Sequence, residues 1–178
     1  MRDVLMDHLE PLVRLRGEVA GTFEAIDGVA MPEPFHSLLV HNGDMTSRLE
    51  AFHEGKITLE VLQSRMDGDR EYCREVVLRR ARDGGAVEYG AIEIFLDAFE
   101  SPIREKILEG LIPLGGLLNS FKVRYHSEPR AFFRMTPNAA LAGLLGVPEG
   151  AVLYGRSNVL RHDDGALIAS IVEVLPAC

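Results

Sequence analysis

The stretch AVLYGRSNVLRHDDGALIASIVEVLPA (151–177) reads as two extended segments, 151–162 and 166–177, folded back on each other. The turn between them is Asp163-Asp164-Gly165, residues that favour tight reversal of the chain. Working back toward the N-terminus, the same arrangement recurs. REYCREVVLRRA (70–81), a turn at Asp83-Gly84-Gly85 and AVEYGAIEIFLDA (86–98) form a second hairpin. ITLEVLQSR (57–65) precedes it as a half-buried strand, Ile57, Leu59 and Val61 alternating with polar residues. VRYHSEPRAFFRM (123–135) is extended as well.

Helical segments fall between these strands. Residues 101–121 open with Ser101 as cap and Pro102 at the first helical position, repeat Ile103, Ile107, Leu108 and Leu111, and restart after Pro113. Thr136-Pro137 opens the helix NAALAGLLG (138–146), which Gly146 stops. A short helix over 35–40 ends at His41-Asn42-Gly43 with a left-handed Asn-Gly, and Thr46 caps another through Phe52. Residues 1–26 read as helix interrupted at Pro11, and DGVAMPEP (27–34) as a loop. The chain therefore divides into an N-terminal helical arm, 1–34, and a main domain, 35–178. Strands paired as hairpins, with helices between the pairs, predict an α+β fold: a single antiparallel β-sheet with helices packed mainly on one side. The arm is expected to pack on the sheet's open face rather than to cover a pocket or pair subunits.

Lys and Arg number 19 against 27 Asp and Glu, a formal charge of −8. That balance argues against nucleic acid or an anionic membrane as partner, while leaving room for a local basic pocket. No apolar run approaches the ~18 residues of a membrane helix, and MRDVLMDHLEP lacks a secretory core. Cys73 and Cys178 make neither a disulfide framework nor a metal motif, so a reducing, cytoplasmic setting is expected. The six histidines show no metal-ligand spacing, and G-x-S-x-G, G-x-G-x-x-G and G-x-x-x-x-G-K are absent. We expect no metal and no cofactor.

Two charged residues stand out. Arg74 lies mid-strand among Tyr72, Cys73, Val76, Val77 and Leu78, where a buried guanidinium needs an anionic partner and an exposed one needs none. Cys73, its neighbour, points to the opposite face and reads as a core residue. Glu173 is the lone carboxylate in LIASIVEVL; it either faces solvent or sits in a pocket with a raised pKa.

Four segments, in this order, resemble the chorismate pyruvate-lyase superfamily. They are HNGDMTSRLEAFHEGKITLEVL (41–62), YCREVVL (72–78), IPLGGLL (112–118) and VLYGRSNVLRHDDGALIASIVEVLPA (152–177). RMTPNAALAGLLGVPEGAVLYGRSNVLRHDDG (134–165) also resembles the ligand-sensing domain of one branch of GntR-type transcription regulators, which shares that fold. Those regulators carry an N-terminal winged helix, which residues 1–34 are too few and too little basic to form. The lyase resemblance implies that Arg74 binds the ring carboxylate of chorismate or of a hydroxybenzoate. It implies that the Met45 backbone closes the pocket near that carboxylate, that Leu114 covers the ring, and that Arg156 lies on the family's Gly-Arg strand as a substrate-binding or a structural residue. Glu173 would be the acid-base group, but the family's spacing to Leu-Pro is one residue longer. Without a gap Val172 takes its place; a bulge or deletion restores Glu173, and Glu93 is a substitute.

The implied activity is cofactor-free elimination of pyruvate from chorismate to give a hydroxybenzoate. The alternatives are an elimination or cyclisation on another substrate in secondary metabolism, or a non-catalytic small-molecule-binding module. In each case the expected partner is a small anionic aromatic or pre-aromatic compound, with no nucleic acid and no membrane, and the chain a monomer or homodimer.

Overall fold

The computed structural model describes residues 2–17 and 20–176; Cys178 lies outside the described residues. Helices α1 (Arg2–His8) and α2 (Glu10–Arg16) lead into strand β1 (Gly21–Ile26). Helices α3 (Phe35–Leu39) and α4 (Met45–Phe52) follow, then strands β2 (Ile57–Asp67), β3 (Glu71–Arg80) and β4 (Ala86–Phe95). Helices α5 (Ser101–Glu109) and α6 (Leu114–Ser120) come next. Strand β5 (Tyr125–Pro137), helix α7 (Ala139–Leu145) and strands β6 (Leu153–His162) and β7 (Leu167–Leu175) complete the chain. The strands form one seven-stranded antiparallel sheet in the order β1-β5-β6-β7-β4-β3-β2. The two hairpins recognised in the sequence meet at its centre, where β4 pairs with β7. The fold is α+β, as the hairpin order predicts. No helix among the described residues is long and apolar enough to cross a membrane.

Each face of the sheet buries a different set of side chains, because alternate residues of a strand point opposite ways. Val77, Tyr89, Ala91, Phe133, Val172 and Val174 lie on one face, under Leu9 and Leu12 of the arm and Leu141 and Leu145 of α7. The arm thus packs on that face, held also by polar contacts. Arg16 bonds to the buried Glu75 carboxylate, which accepts from Tyr89 Oη and Gln63 Nε2 as well. The opposite face carries two apolar clusters. One gathers Ile92, Ile94 and Leu160 against α5 and α6; the other gathers Leu78 and Leu175 against α3 and α4.

Several local expectations are corrected. Residues 21–26 are a strand, not helix: Gly17, with φ 73°, ends α2, and β1 then pairs with β5 from Gly21↔Pro137 to Ile26↔Phe132. A Cβ at Gly21 would stand 2.2 Å from the Thr136 carbonyl oxygen, so a glycine is required where the two backbones meet. This edge strand exists through a partner more than 100 residues away, which local periodicity does not show. The cap of α4 is Asp44, whose carboxylate accepts from the Thr46 and Ser47 N–H groups, and not Thr46. The α5 cap is Glu100 and not Ser101. Thr136 and Pro137 remain in β5, and Asn138 caps α7 by accepting from the Leu141 N–H. Neither Asn42 nor Gly43 has a positive φ, so α3 does not end in a left-handed residue; its terminal carbonyls find a different partner, described below.

A candidate anion-binding pocket

Between the two apolar clusters the sheet face is left open as a pocket of about 620 Å³, its mouth included. Its floor follows from the strand register. Arg74, Ile92, Ile171 and Asn158 stand in one row across β3, β4, β7 and β6; Val76, Gly90, Glu173 and Arg156 stand in the next. Leu78 and Glu88 extend it toward α4. Met45 of α4 and Leu114 of α6 form the opposite wall. All five residues singled out by the resemblance, Arg74, Glu173, Met45, Leu114 and Arg156, therefore line one cavity.

Glu173 faces this cavity and Val172 does not; Val172 lies in the core on the arm side. The β6–β7 register shifts between Leu160 and Arg161, next to the turn, and is regular from there to Leu175. Glu93 does not substitute for it: it points to the arm face, where it pairs with Arg14. Cys73 is fully buried on that face too, as expected for a core cysteine.

The two buried arginines differ in their company. Arg156 is fully buried; its Nε donates to Glu173, and its Nη1 donates to the carbonyls of Leu39 and His41, each at 2.9 Å, while Nη2 has no partner among the described residues. It thereby caps the C-terminal end of α3, where a cation also complements the helix dipole. Gly155 precedes it because the Phe133 ring occupies the space of a side chain there, 2.5 Å from an ideal Cβ. Arg74 is 2% exposed and has no carboxylate partner among the described residues. Nη1 reaches the Ile107 carbonyl at a long 3.3 Å and Nε has no partner. Burial lowers its pKa from the usual arginine value, the Tyr72 hydroxyl being the offsetting neighbour.

Glu88 was not anticipated from the sequence. It is 5% exposed, lines the pocket, and its Oε2 has no partner. Burial, and then the charge of Glu173, push its pKa well above the usual carboxylate value, with Arg156 pulling the other way. Tyr125, at the side of the cavity, is pushed up to about 12 by burial and by Asp44 and Glu173.

At the mouth, the α4 cap and α6 touch. Asp44 also accepts from Asn119 Nδ2 at 2.9 Å, and Gly115 lies so close that a Cβ there would stand 2.1 Å from Asp44 Oδ1. Gly115→Ala is expected to displace the cap and lower stability by about 1–3 kcal/mol in urea denaturation. A second local effect concerns His41, whose Nε2 donates to the Leu38 carbonyl at 2.7 Å while Nδ1 accepts from the Gly43 N–H. Burial and the charges of Arg156 and Arg48 lower its pKa from 6.5 to about 4. The unfolded chain then takes up the proton first, so stability falls as pH drops from 6.5 toward 4. We expect a loss of about 1–2 kcal/mol over that range, discounted for partial exposure, and a flatter profile in His41→Gln.

No family model matches this chain. No curated protein matches it. Among solved structures it is similar to PhnF from Mycobacterium smegmatis, with TM-score 0.60 and 14% identity over 78% of this chain and 65% of that one. It thus spans slightly less than two thirds of the whole PhnF chain. The effector domain of PhnF matches with TM-score 0.57 and 15% identity, over 76% of this chain and 89% of that one. A possible transcriptional regulator, YydK from Bacillus subtilis, matches with TM-score 0.52 and 10% identity, over 67% and 58%. At these identities the likeness shows the fold, and the fold is the one that the lyase and sensor-domain resemblances imply.

Proposed function

We propose that this chain is a small-molecule-binding domain whose ligand is a small carboxylate, anchored by Arg74. The observation that carries the reading is a guanidinium 2% exposed, without a counter-ion among the described residues, lining an otherwise largely apolar cavity. Such a charge is costly in the empty protein and is compensated when a planar anion accepts from it, an interaction that arginine makes in a bidentate way. Val76, Ile92, Ile171 and Leu114 offer the flat apolar surroundings that suit a ring. Likeness in fold to an effector domain supports the binding reading.

A second reading rests on one observation: Glu173 shares the cavity with Arg74. In that reading the chain is a chorismate lyase, Arg74 holding the ring carboxylate while Glu173 moves a proton as pyruvate leaves. Against it, one Glu173 oxygen is engaged by Arg156. The test is to incubate the protein with chorismate and follow pyruvate with a lactate dehydrogenase couple. We expect no release above the spontaneous rate, together with thermal stabilisation by hydroxybenzoates. Release that is lost in Arg74→Ala would overturn the binding reading in favour of the lyase.

A further inference from the structure

The pocket has polar groups without partners at both ends, and they differ in kind. Leu78, the residue that pairs with Glu88, lies four positions along β3 from Arg74. At strand spacing the Cα atoms of these two rows are roughly 13 Å apart. Midway lies Gly90, where a Cβ would stand 3.5 Å from both Glu88 Oε1 and Val76 Cγ2. The Glu88 carboxyl thus reaches over Gly90, which has no side chain to displace it, toward the middle of the pocket.

We infer that Glu88 is the second recognition group of this pocket, and that it selects carboxylates whose far end is an uncharged hydroxyl or carbonyl over carboxylates whose far end is a second anion. The inference rests on the carboxylate-binding reading above. A buried carboxyl oxygen with no partner is costly in the empty protein, and a ligand hydroxyl or carbonyl satisfies it. The charges facing Glu88 explain the exclusion. Glu173 on β7 and Asp44 before α4 are acidic, and the charge of the cation Arg156 on β6 is balanced by Glu173, although its Nη2 has no partner among the described residues and remains a donor. Burial among these groups favours the protonated carboxyl, which both donates and accepts. Arg74 leaves one positive charge uncompensated, so there is room for one negative charge, at the Arg74 end only.

Binding of benzoate, 4-hydroxybenzoate and terephthalate can be measured by calorimetry on the wild type, Glu88→Gln, Glu88→Leu and Arg74→Leu, each first checked for folding by circular dichroism. In the wild type, 4-hydroxybenzoate is expected to bind about tenfold more tightly than benzoate, the value of one net hydrogen bond, and terephthalate more weakly than either. Glu88→Leu should bring the ratio of the first two near unity, and Glu88→Gln, which keeps a donor and an acceptor, should restore it. A ratio that Glu88→Leu leaves unchanged overturns the inference, as does terephthalate binding as well as 4-hydroxybenzoate. If all three bind in an Arg74-dependent manner while Glu88 has no effect, the pocket reading stands and this inference fails. If none binds, or Arg74→Leu binds them all equally well, the carboxylate reading fails and takes the inference with it.

Discussion

An Arg74→Leu protein is expected to be more stable than the wild type by about 1–2 kcal/mol, and to bind carboxylates at least about a hundredfold more weakly. The stability gain follows from the imbalance at that position. The guanidinium is desolvated, donates to no carboxylate among the described residues, and has only the Tyr72 hydroxyl and a long hydrogen bond to the Ile107 carbonyl to offset its burial. Replacing a buried ion by an apolar side chain of similar reach removes the desolvation penalty, and Leu packs beside Ile92 and Ile107. The affinity loss is that of a charge-assisted, two-pronged contact. Stability and binding move in opposite directions, as expected of a residue kept for its ligand. Urea denaturation reads the first effect; a variant less stable than the wild type would mean that Arg74 is a structural residue.

Arg156→Leu is expected to do the reverse, costing about 3–5 kcal/mol. Here a fully buried cation holds Glu173 and two carbonyls at the end of α3. Removing it leaves a carboxylate 4% exposed without its partner and frees α3 from the sheet. Breaking one side of a buried ion pair carries a penalty of this order, because the remaining charge has lost its compensation. The double variant Arg156→Leu/Glu173→Leu should recover a good part of the loss, which distinguishes an uncompensated charge from a poorly filled core. Two arginines on one sheet face thus have opposite energetic roles, and denaturation curves separate them. A small effect for Arg156→Leu would show that the α3 end is held by other contacts.

Much of this was legible in the sequence, and the exceptions have physical causes. Turn chemistry at Asp83-Gly84-Gly85 and Asp163-Asp164-Gly165 located both hairpins, since those turns are closed by residues next to one another in the chain. Arg74 and Glu173 stood out as single charges in apolar strands, and both line the pocket. Glu88 was missed although parity could have found it. Arg74 pairs with Ile92, so the even-numbered residues of β4 share its face, which places Glu88 in the pocket and Glu93 on the arm side. Glu93, named as a substitute in the strand YGAIEIFL, has the opposite parity. β1 was read as helix because an edge strand of six residues depends on pairing with distant β5, and nothing within it records that partner. The caps slipped by one or two positions because the sequence near each offers several residues with suitable oxygens. At α4 these were Asp44, Thr46 and Ser47, and only the fold shows which one lies outside the first turn.

The most direct test of an Arg74-anchored carboxylate site is the shift in melting temperature produced by millimolar 4-hydroxybenzoate at pH 7, in the wild type and in Arg74→Leu. A ligand that binds only the folded state raises its stability by mass action. The predicted result is a concentration-dependent rise for the wild type and none for Arg74→Leu, which itself starts from a higher temperature. An equal rise in both proteins would contradict the account, because the ligand would then be bound somewhere other than at Arg74.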